Sequence, residues 1–245
     1  MPDLSIVVPV FDEEDSLPRF WSELRDALEA LPLTAEVLFV DDGSRDRSAE
    51  IVRALREQDR RVRLVRLKAN AGETAATDAG FRAARGRWVV TMDADLQNDP
   101  RDIPALLAHL DRWDAACGWR VHRGAGDSLV RRVSSRVANH VRNALSDEAV
   151  HDSGCTFRAF RRECLRGLVL YRGFHRFVPT LLRLQGYRVV EVPVNHRPRR
   201  FGRSKYGVLN RVFGATVDLL VVRWMKRRRL RYEVAEDLGG DLLPE

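Results

Sequence analysis

The chain has 245 residues, 44% of them hydrophobic and 31% charged, globular proportions that allow a full core in one large domain, or in a domain with an appendage. Three cysteines, Cys117, Cys155 and Cys164, show no CxxC spacing and no even pairing, which argues against a zinc knuckle and suits a reducing compartment. The net charge of +7 hides an asymmetry: residues 1–118 carry 16 Lys/Arg against 23 Asp/Glu, and residues 119–245 carry 26 against 12. An acidic first half and a basic second half predict two surfaces with different clients, the basic one suited to nucleic acid, anionic lipid or a phosphorylated small molecule.

In chain order, "LSIVVPV" (4–10), "AEVLFVDD" (35–42), "VRLVRL" (62–67), "RWVVTMD" (87–93) and "DAACGW" (114–119) read as strands. Helix-like segments lie between them at roughly 16–31, 46–59, 73–84 and 102–112, with Ser16 as an N-cap and Gly43 and Gly86 at two junctions. Such alternation predicts a mainly parallel sheet flanked by helices, whose ligands bind at the carboxyl ends of the strands. Asp41, Asp42, Asp93 and Asp95 all fall at those ends. The second half is less regular: a helical pattern over 128–145, a short strand in "CTFRAF" (155–160), a helix over 176–186 ending at Gly186, and a strand at 187–194. A basic loop, "NHRPRRFGRSKYG", then precedes an apolar segment from Val208 to Met225, and the last fourteen residues read as a tail. The start, "MPDLSIVVPV", lacks a basic n-region and meets Asp12 too soon for a signal peptide. No stretch reaches the roughly 18–20 uncharged apolar residues of a membrane span.

An Asp-x-Asp pair at a strand end offers rigid oxygen ligands to a hard divalent cation. Mg²⁺ or Mn²⁺ held by one or two carboxylates keeps open positions for substrate phosphates, so Asp93 and Asp95 suggest a metal bridging protein and diphosphate. Either acidic motif alone also suits caps or solvated turns. The glycine-rich turn of a dinucleotide enzyme is absent after the first strand. An aspartyl-phosphate phosphatase would need Thr where Gln97 stands, and its motif would follow the first strand rather than the fourth.

Four motifs occur in order: "VVPVFDEE" (7–14), "VDDGS" (40–44), "MDADLQ" (92–97) and "HRPRRFGRSKYG" (196–207). In this the chain resembles glycosyltransferase family 2, over about residues 4–225, with its Rossmann-like GT-A fold. The Asp-x-Asp-x-Gln and Arg-x-x-Gly-x-Ser-Lys patterns narrow the resemblance to the polyprenyl-phosphate glycosyltransferases typified by dolichyl-phosphate mannose synthase. The resemblance implies a GT-A catalytic domain over 1–207, with a nucleotide-sugar half (1–118) and an acceptor half (119–207). It implies that Pro9, Phe11 and Glu13 pack on the nucleotide and that Val40 and Asp42 meet its base and ribose. Asp93, Ala94, Asp95 and Gln97 match the metal–diphosphate segment, with Asp93, Asp95 and Gln97 as the Mg²⁺ or Mn²⁺ ligands. Arg120 matches a position near the acceptor phosphate. Arg199 and Lys205 match the pair over the donor phosphates, and Asp152 a base or acceptor-orienting position. The implied reaction moves a sugar, with inversion, from a nucleotide sugar (GDP-mannose or a UDP-sugar) to a polyprenyl or dolichyl phosphate. Because a phosphate monoester has a second pKa near 6, the acceptor hardly needs a base, which favours orienting duty for Asp152. A donor contact through His175 or Arg176 stays open, while His196 is expected to fix its loop. The chain departs from related enzymes that carry transmembrane helices after the catalytic domain.

Residues 208–231 have Leu209, Val212, Phe213, Val217, Leu220 and Trp224 along one helical stripe, followed by "KRRRLR" (226–231). That pattern fits a core-facing helix or, better with a lipid-linked acceptor, an amphipathic helix lying on an anionic membrane. Nucleic acid is not expected, since aromatic residues are not interleaved among the cations. The expected location is cytoplasmic, peripheral on the inner face of the membrane. The rival readings are a family 2 enzyme with a soluble or polysaccharide acceptor and a non-catalytic nucleotide-sugar binder.

Overall fold

The computed structural model describes residues 1–120, 152, 154–198 and 208–230, with side chains left aside at 208–216. The elements are β1 (Leu4–Val10), α1 (Leu17–Glu29), β2 (Ala35–Asp41), α2 (Ser48–Gln58), β3 (Val62–Arg66), α3 (Glu73–Ala83), β4 (Trp88–Thr91), α4 (Ile103–Leu107), β5 (Ala115–Arg120), β6 (Arg158–Arg161), α5 (Val178–Leu184), β7 (Val189–Val194) and α6 (Val208–Arg228). Short 3₁₀ turns precede α4 at Pro100–Asp102 and α5 at Phe174–Phe177. The strands alternate with helices as expected, with most ends shifted by one to three residues. The expected helix at 102–112 is shorter, because i→i+3 turns after Leu107 end it and confine it to Ile103–Leu107. Ser16 stands at the N-cap of α1 but does not cap with its side chain. Its hydroxyl donates instead to the Glu13 carbonyl (3.1 Å) and carboxylate (2.9 Å).

The seven strands form one sheet in the order β3-β2-β1-β4-β6-β5-β7. β3, β2, β1 and β4 are mutually parallel, and β7 is parallel to β5. β6 pairs antiparallel with both β4 and β5, so among the described strands it alone is reversed. Strand β1 shows why both faces are covered: its successive side chains point to opposite faces. Leu4, Ile6, Val8 and Val10 pack with α1 and α2 through Leu17, Leu24 and Val52. Val7 joins the opposite layer with Phe81, Leu182, Leu219 and Val222. In that layer Gly80 lets α3 lie close on β1, since a Cβ there would fall 2.2 Å from Val7 Cγ1.

Reversing β6 decides where the site lies. The start of β6, next to Thr156 and Cys155, comes to the sheet edge where β4 and β5 end. The register agrees: Arg158 is opposite Thr91 and Cys117. Thr156 therefore faces the acid turn that follows β4.

α6 rests on the same layer through Leu219 and Val222, and Arg176 reaches its Asp218 at 3.2 Å. Its other side is also apolar: Val217, Leu220, Val221 and Trp224 are exposed, Trp224 by 62%. The expected stripe thus faces outward where its side chains are described. No described helix is long and apolar enough to cross a membrane. The helical pattern over 128–145 lies outside the described residues.

Candidate active site

The loops that leave β1, β2 and β3 are stitched together. Asp12 donates its amide to Ser44 Oγ (3.0 Å) and accepts from the Arg45 amide (2.8 Å). The amides of Glu13 and Glu14 donate to Ser48 Oγ (2.8 Å) and Asp46 (3.0 Å). Asp42 accepts from Asn70 Nδ2 (2.9 Å) and from the amides of Ala71 (2.7 Å) and Gly72 (2.9 Å). A carboxylate has about four acceptor sites, so loop 70–72 takes most of the Asp42 capacity expected for a ribose. Gly43 sits at φ +71°, where a Cβ would meet the Asn70 backbone at 2.8 Å, so only glycine lets these loops approach. Asp41 is buried and pairs with Arg66 at 2.9 Å.

After β4 comes the acid turn. Thr156 Oγ1 donates to Asp93 at 2.6 Å, and the Gln97 amide donates to Asp95 at 3.1 Å. Burial, with the Glu73 and Asp95 carboxylates adding to it, pushes the Asp93 carboxyl up to about 7, against the hydrogen bond from Thr156 and the charge of Arg120. Mutual repulsion of this kind is what a cation would relieve. Leu96, between Asp95 and Gln97, takes φ +64°; among described non-glycine residues only Asp12 shares the left-handed region. Such strain persists where surrounding contacts impose it and gathers at functional turns.

Beside Asp93 lies a small cleft lined by Pro9, Glu73, Thr77, Thr156, Arg158 and His175 among others. Gly173 donates its amide to Thr74 Oγ1 (3.0 Å), which lies 2.7 Å from His175 Nδ1. The other ring nitrogen of His175, Nε2, lies 3.5 Å from Glu73. His175 thereby ties α3 to the turn before α5.

Across from the turn, Arg120 ends β5 and meets Asp152 through two hydrogen bonds, Nε to Oδ2 at 2.5 Å and Nη2 to Oδ1 at 2.8 Å. Burial lowers the Arg120 pKa, but the Asp152 bonds outweigh it and the net shift is upward. Arg120 and Asp93 feel each other electrostatically, so the proposed donor and acceptor sides share one field.

Among the predicted positions, Pro9 and Asp93 line the cleft, while Phe11 and Glu13 are half-buried in the first loop. Val40 and Ala94 are buried. The side chain of Val40 packs with Val7 and Ala76, so any contact it makes with a nucleotide runs through its main chain. Gln97 points its amide toward His196 Nε2 and the Arg197 carbonyl, both at 3.4 Å. Among the described residues no group of three or more His, Cys, Asp or Glu is arranged to hold a metal; the expected ligands are Asp93, Asp95 and Gln97. Arg199 and Lys205 lie outside the described residues. Residues of the site that escaped the sequence reading include Glu73, Thr156 and Arg197. Of these, Arg197 alone carried a signal, as a member of the basic-loop motif at 196–207.

A mainly parallel sheet with an acid turn beyond its β1/β4 edge has the architecture of GT-A glycosyltransferases. The solved structure of glucosyl-3-phosphoglycerate synthase from Mycobacterium tuberculosis, in complex with Mn²⁺, UDP and phosphoglyceric acid, superposes with a TM-score of 0.67 at 22% identity, covering 92% of this chain and 78% of that one. Residues 5–168 match the model of glycosyl transferase family 2, and the chain belongs to that family. It is 37% identical over 236 residues to dodecaprenyl-phosphate galacturonate synthase of Rhizobium johnstonii, covering 94% of this chain and 69% of that one. It is also 37% identical over 218 residues to undecaprenyl-phosphate 4-deoxy-4-formamido-L-arabinose transferase of Salmonella typhimurium, covering 89% and 66%. The chain thus spans about two thirds of the length of these relatives.

Proposed function

We propose that this protein transfers a sugar from a nucleotide sugar to a polyprenyl phosphate, releasing a nucleoside diphosphate, with inversion at the anomeric carbon. The observation that carries this is the juxtaposition of the Asp93–Asp95 turn with the Arg120–Asp152 pair at one sheet edge. Two relatives named for polyprenyl-phosphate products support the acceptor class. On this reading Pro9, Phe11, Glu13, Asp42 and the backbone of Val40 hold the nucleoside, and Asp93, Asp95 and Gln97 hold Mg²⁺ or Mn²⁺. When bound, the metal would neutralise charge growing on the leaving diphosphate. Arg120 meets the acceptor phosphate, and Asp152 orients Arg120 rather than removing a proton, because both its oxygens already accept from that guanidinium. Arg199 and Lys205 offset the donor phosphates.

The catalytic unit spans 1–207 and α6 with its basic end forms a membrane-facing appendage, peripheral on the cytoplasmic face. A helix apolar on both sides calls for a cover on its outer side. Lys226, Arg227, Arg228 and Arg229 follow the exposed Leu220, Val221 and Trp224, which suits anionic lipid. The test incubates purified protein and Mn²⁺ with radioactive UDP- and GDP-sugars and a short polyprenyl phosphate. Label moving into detergent-extracted lipid supports the reading. Label reaching only a soluble or polysaccharide acceptor, or nucleotide binding without turnover, overturns it.

A further inference from the structure

The segment after β7 is fastened to the acid turn by contacts spanning about a hundred residues of sequence. Asn98 and His196 form an antiparallel bridge, and the Arg197 amide donates to the Gln97 carbonyl at 2.9 Å. The Arg197 guanidinium pairs with Asp99 at 2.5 Å through Nη2 and with Glu23 of α1 through Nη1. Just upstream, Asn195 donates its amide (2.7 Å) and its Nδ2 (2.9 Å) to Asp102. Three elements far apart in sequence thus converge on the stretch immediately after Asp95.

We infer that Arg197 is a positioning residue for donor binding: clasped between Glu23 and Asp99, it holds the 95–99 turn in the conformation that receives the diphosphate. The inference rests on the reading of Asp95 and Gln97 as donor-site residues. The turn needs such a holder, because Leu96 sits at φ +64°, a conformation an isolated turn does not keep. Apolar packing supplies only part of the restraint. Leu96 is buried in the core, but Gln97 and Asp99 are only partly buried, and the contacts that lock this end of the turn are the polar ones to 195–197. The fork geometry explains the residue type. A planar guanidinium reaches two carboxylates at once through different nitrogens, whereas a lysine ammonium is a single point charge. Arg197 therefore couples the root of the basic loop to the acid turn without itself touching substrate.

The experiment compares wild type with Arg197→Ala, Arg197→Lys and Asp99→Asn, the last removing one arm of the clasp if Arg197→Ala fails to fold. Amide hydrogen exchange over 93–99 is measured without ligand, and Mn²⁺ with UDP or GDP is titrated by calorimetry. Donor KM and kcat are measured separately. Arg197→Ala is expected to exchange about tenfold faster over 93–99 and to bind Mn²⁺–nucleotide about tenfold or more weakly. The donor KM rises while kcat changes by less than about threefold, as for an interaction used equally in ground and transition states. Arg197→Lys recovers only part of the loss. Exchange unchanged over 93–99, or nucleotide affinity within about twofold of wild type, overturns the clasp. Wild type that binds neither nucleotide would sink the donor-site reading instead, and the exchange measurement then decides the clasp by itself.

Discussion

Replacing Asp152 with asparagine separates two roles for this carboxylate. The side chain is 2% exposed and its Arg120 partner 21%. Removing one member of a buried pair costs about 3–5 kcal/mol. Here the partial exposure of Arg120 and the acceptor oxygen that the amide retains bring the expected loss to roughly 2 kcal/mol. For a chain of this length that lowers Tm by about 4–8 °C. In turnover, Arg120 loses its alignment, so the KM for the acceptor phosphate should rise. The acid limb of the pH–rate profile should remain, because the acceptor phosphate itself titrates near pH 6. A general base would behave differently: its loss would remove the limb and cut kcat by about 10²–10⁴-fold. Melting curves and pH–rate profiles on both proteins decide the matter. An Asp152→Asn variant as stable as wild type, or one that loses the limb with acceptor KM unchanged, would refute the orienting role.

Asp93 makes stability depend on pH in the metal-free protein. Its folded pKa is raised from 3.8 to about 7, so its stabilising effect is complete below about pH 4 and lost as pH rises through 7. Three pKa units correspond to about 4 kcal/mol at most. Wild-type Tm should therefore fall more between pH 5 and 8 than that of Asp93→Asn, and parallel profiles would contradict the shift. Asp95→Asn should keep the fold and slow transfer about a thousandfold or more. Retention of over about a tenth of the wild-type rate would remove Asp95 from the metal's ligands. Changing Lys226, Arg227, Arg228 and Arg229 together to Gln should weaken binding to anionic vesicles about a hundredfold or more at low salt, measured by co-sedimentation. Equal binding would show that these cations do not face the membrane.

The strands and helices of the first half were legible because each rests on local pattern. Alternating apolar runs such as "LSIVVPV" must be buried on both faces, and Asp42, Asp93 and Asp95 stand at strand ends wherever the strands go. The basic loop and the acid turn were legible as motifs for the same reason. What those motifs touch was not legible. Strand β6 carries no local mark of its direction, yet its reversal between β4 and β5 is what brings Thr156 to Asp93 and Asp152 to Arg120. The stripe through Val217, Leu220 and Trp224 was legible, and an outward direction was favoured but not decided; docking through Leu219 and Val222 is what chooses the inner side of α6. The same holds for Arg197, one arginine among many until β7 sets it between Glu23 and Asp99. Periodicity and spacing act over a few residues, and they determined the elements and the chemistry at their ends. Pairings across thirty to a hundred and seventy residues depend on which strands become neighbours, and only the tertiary structure decided those.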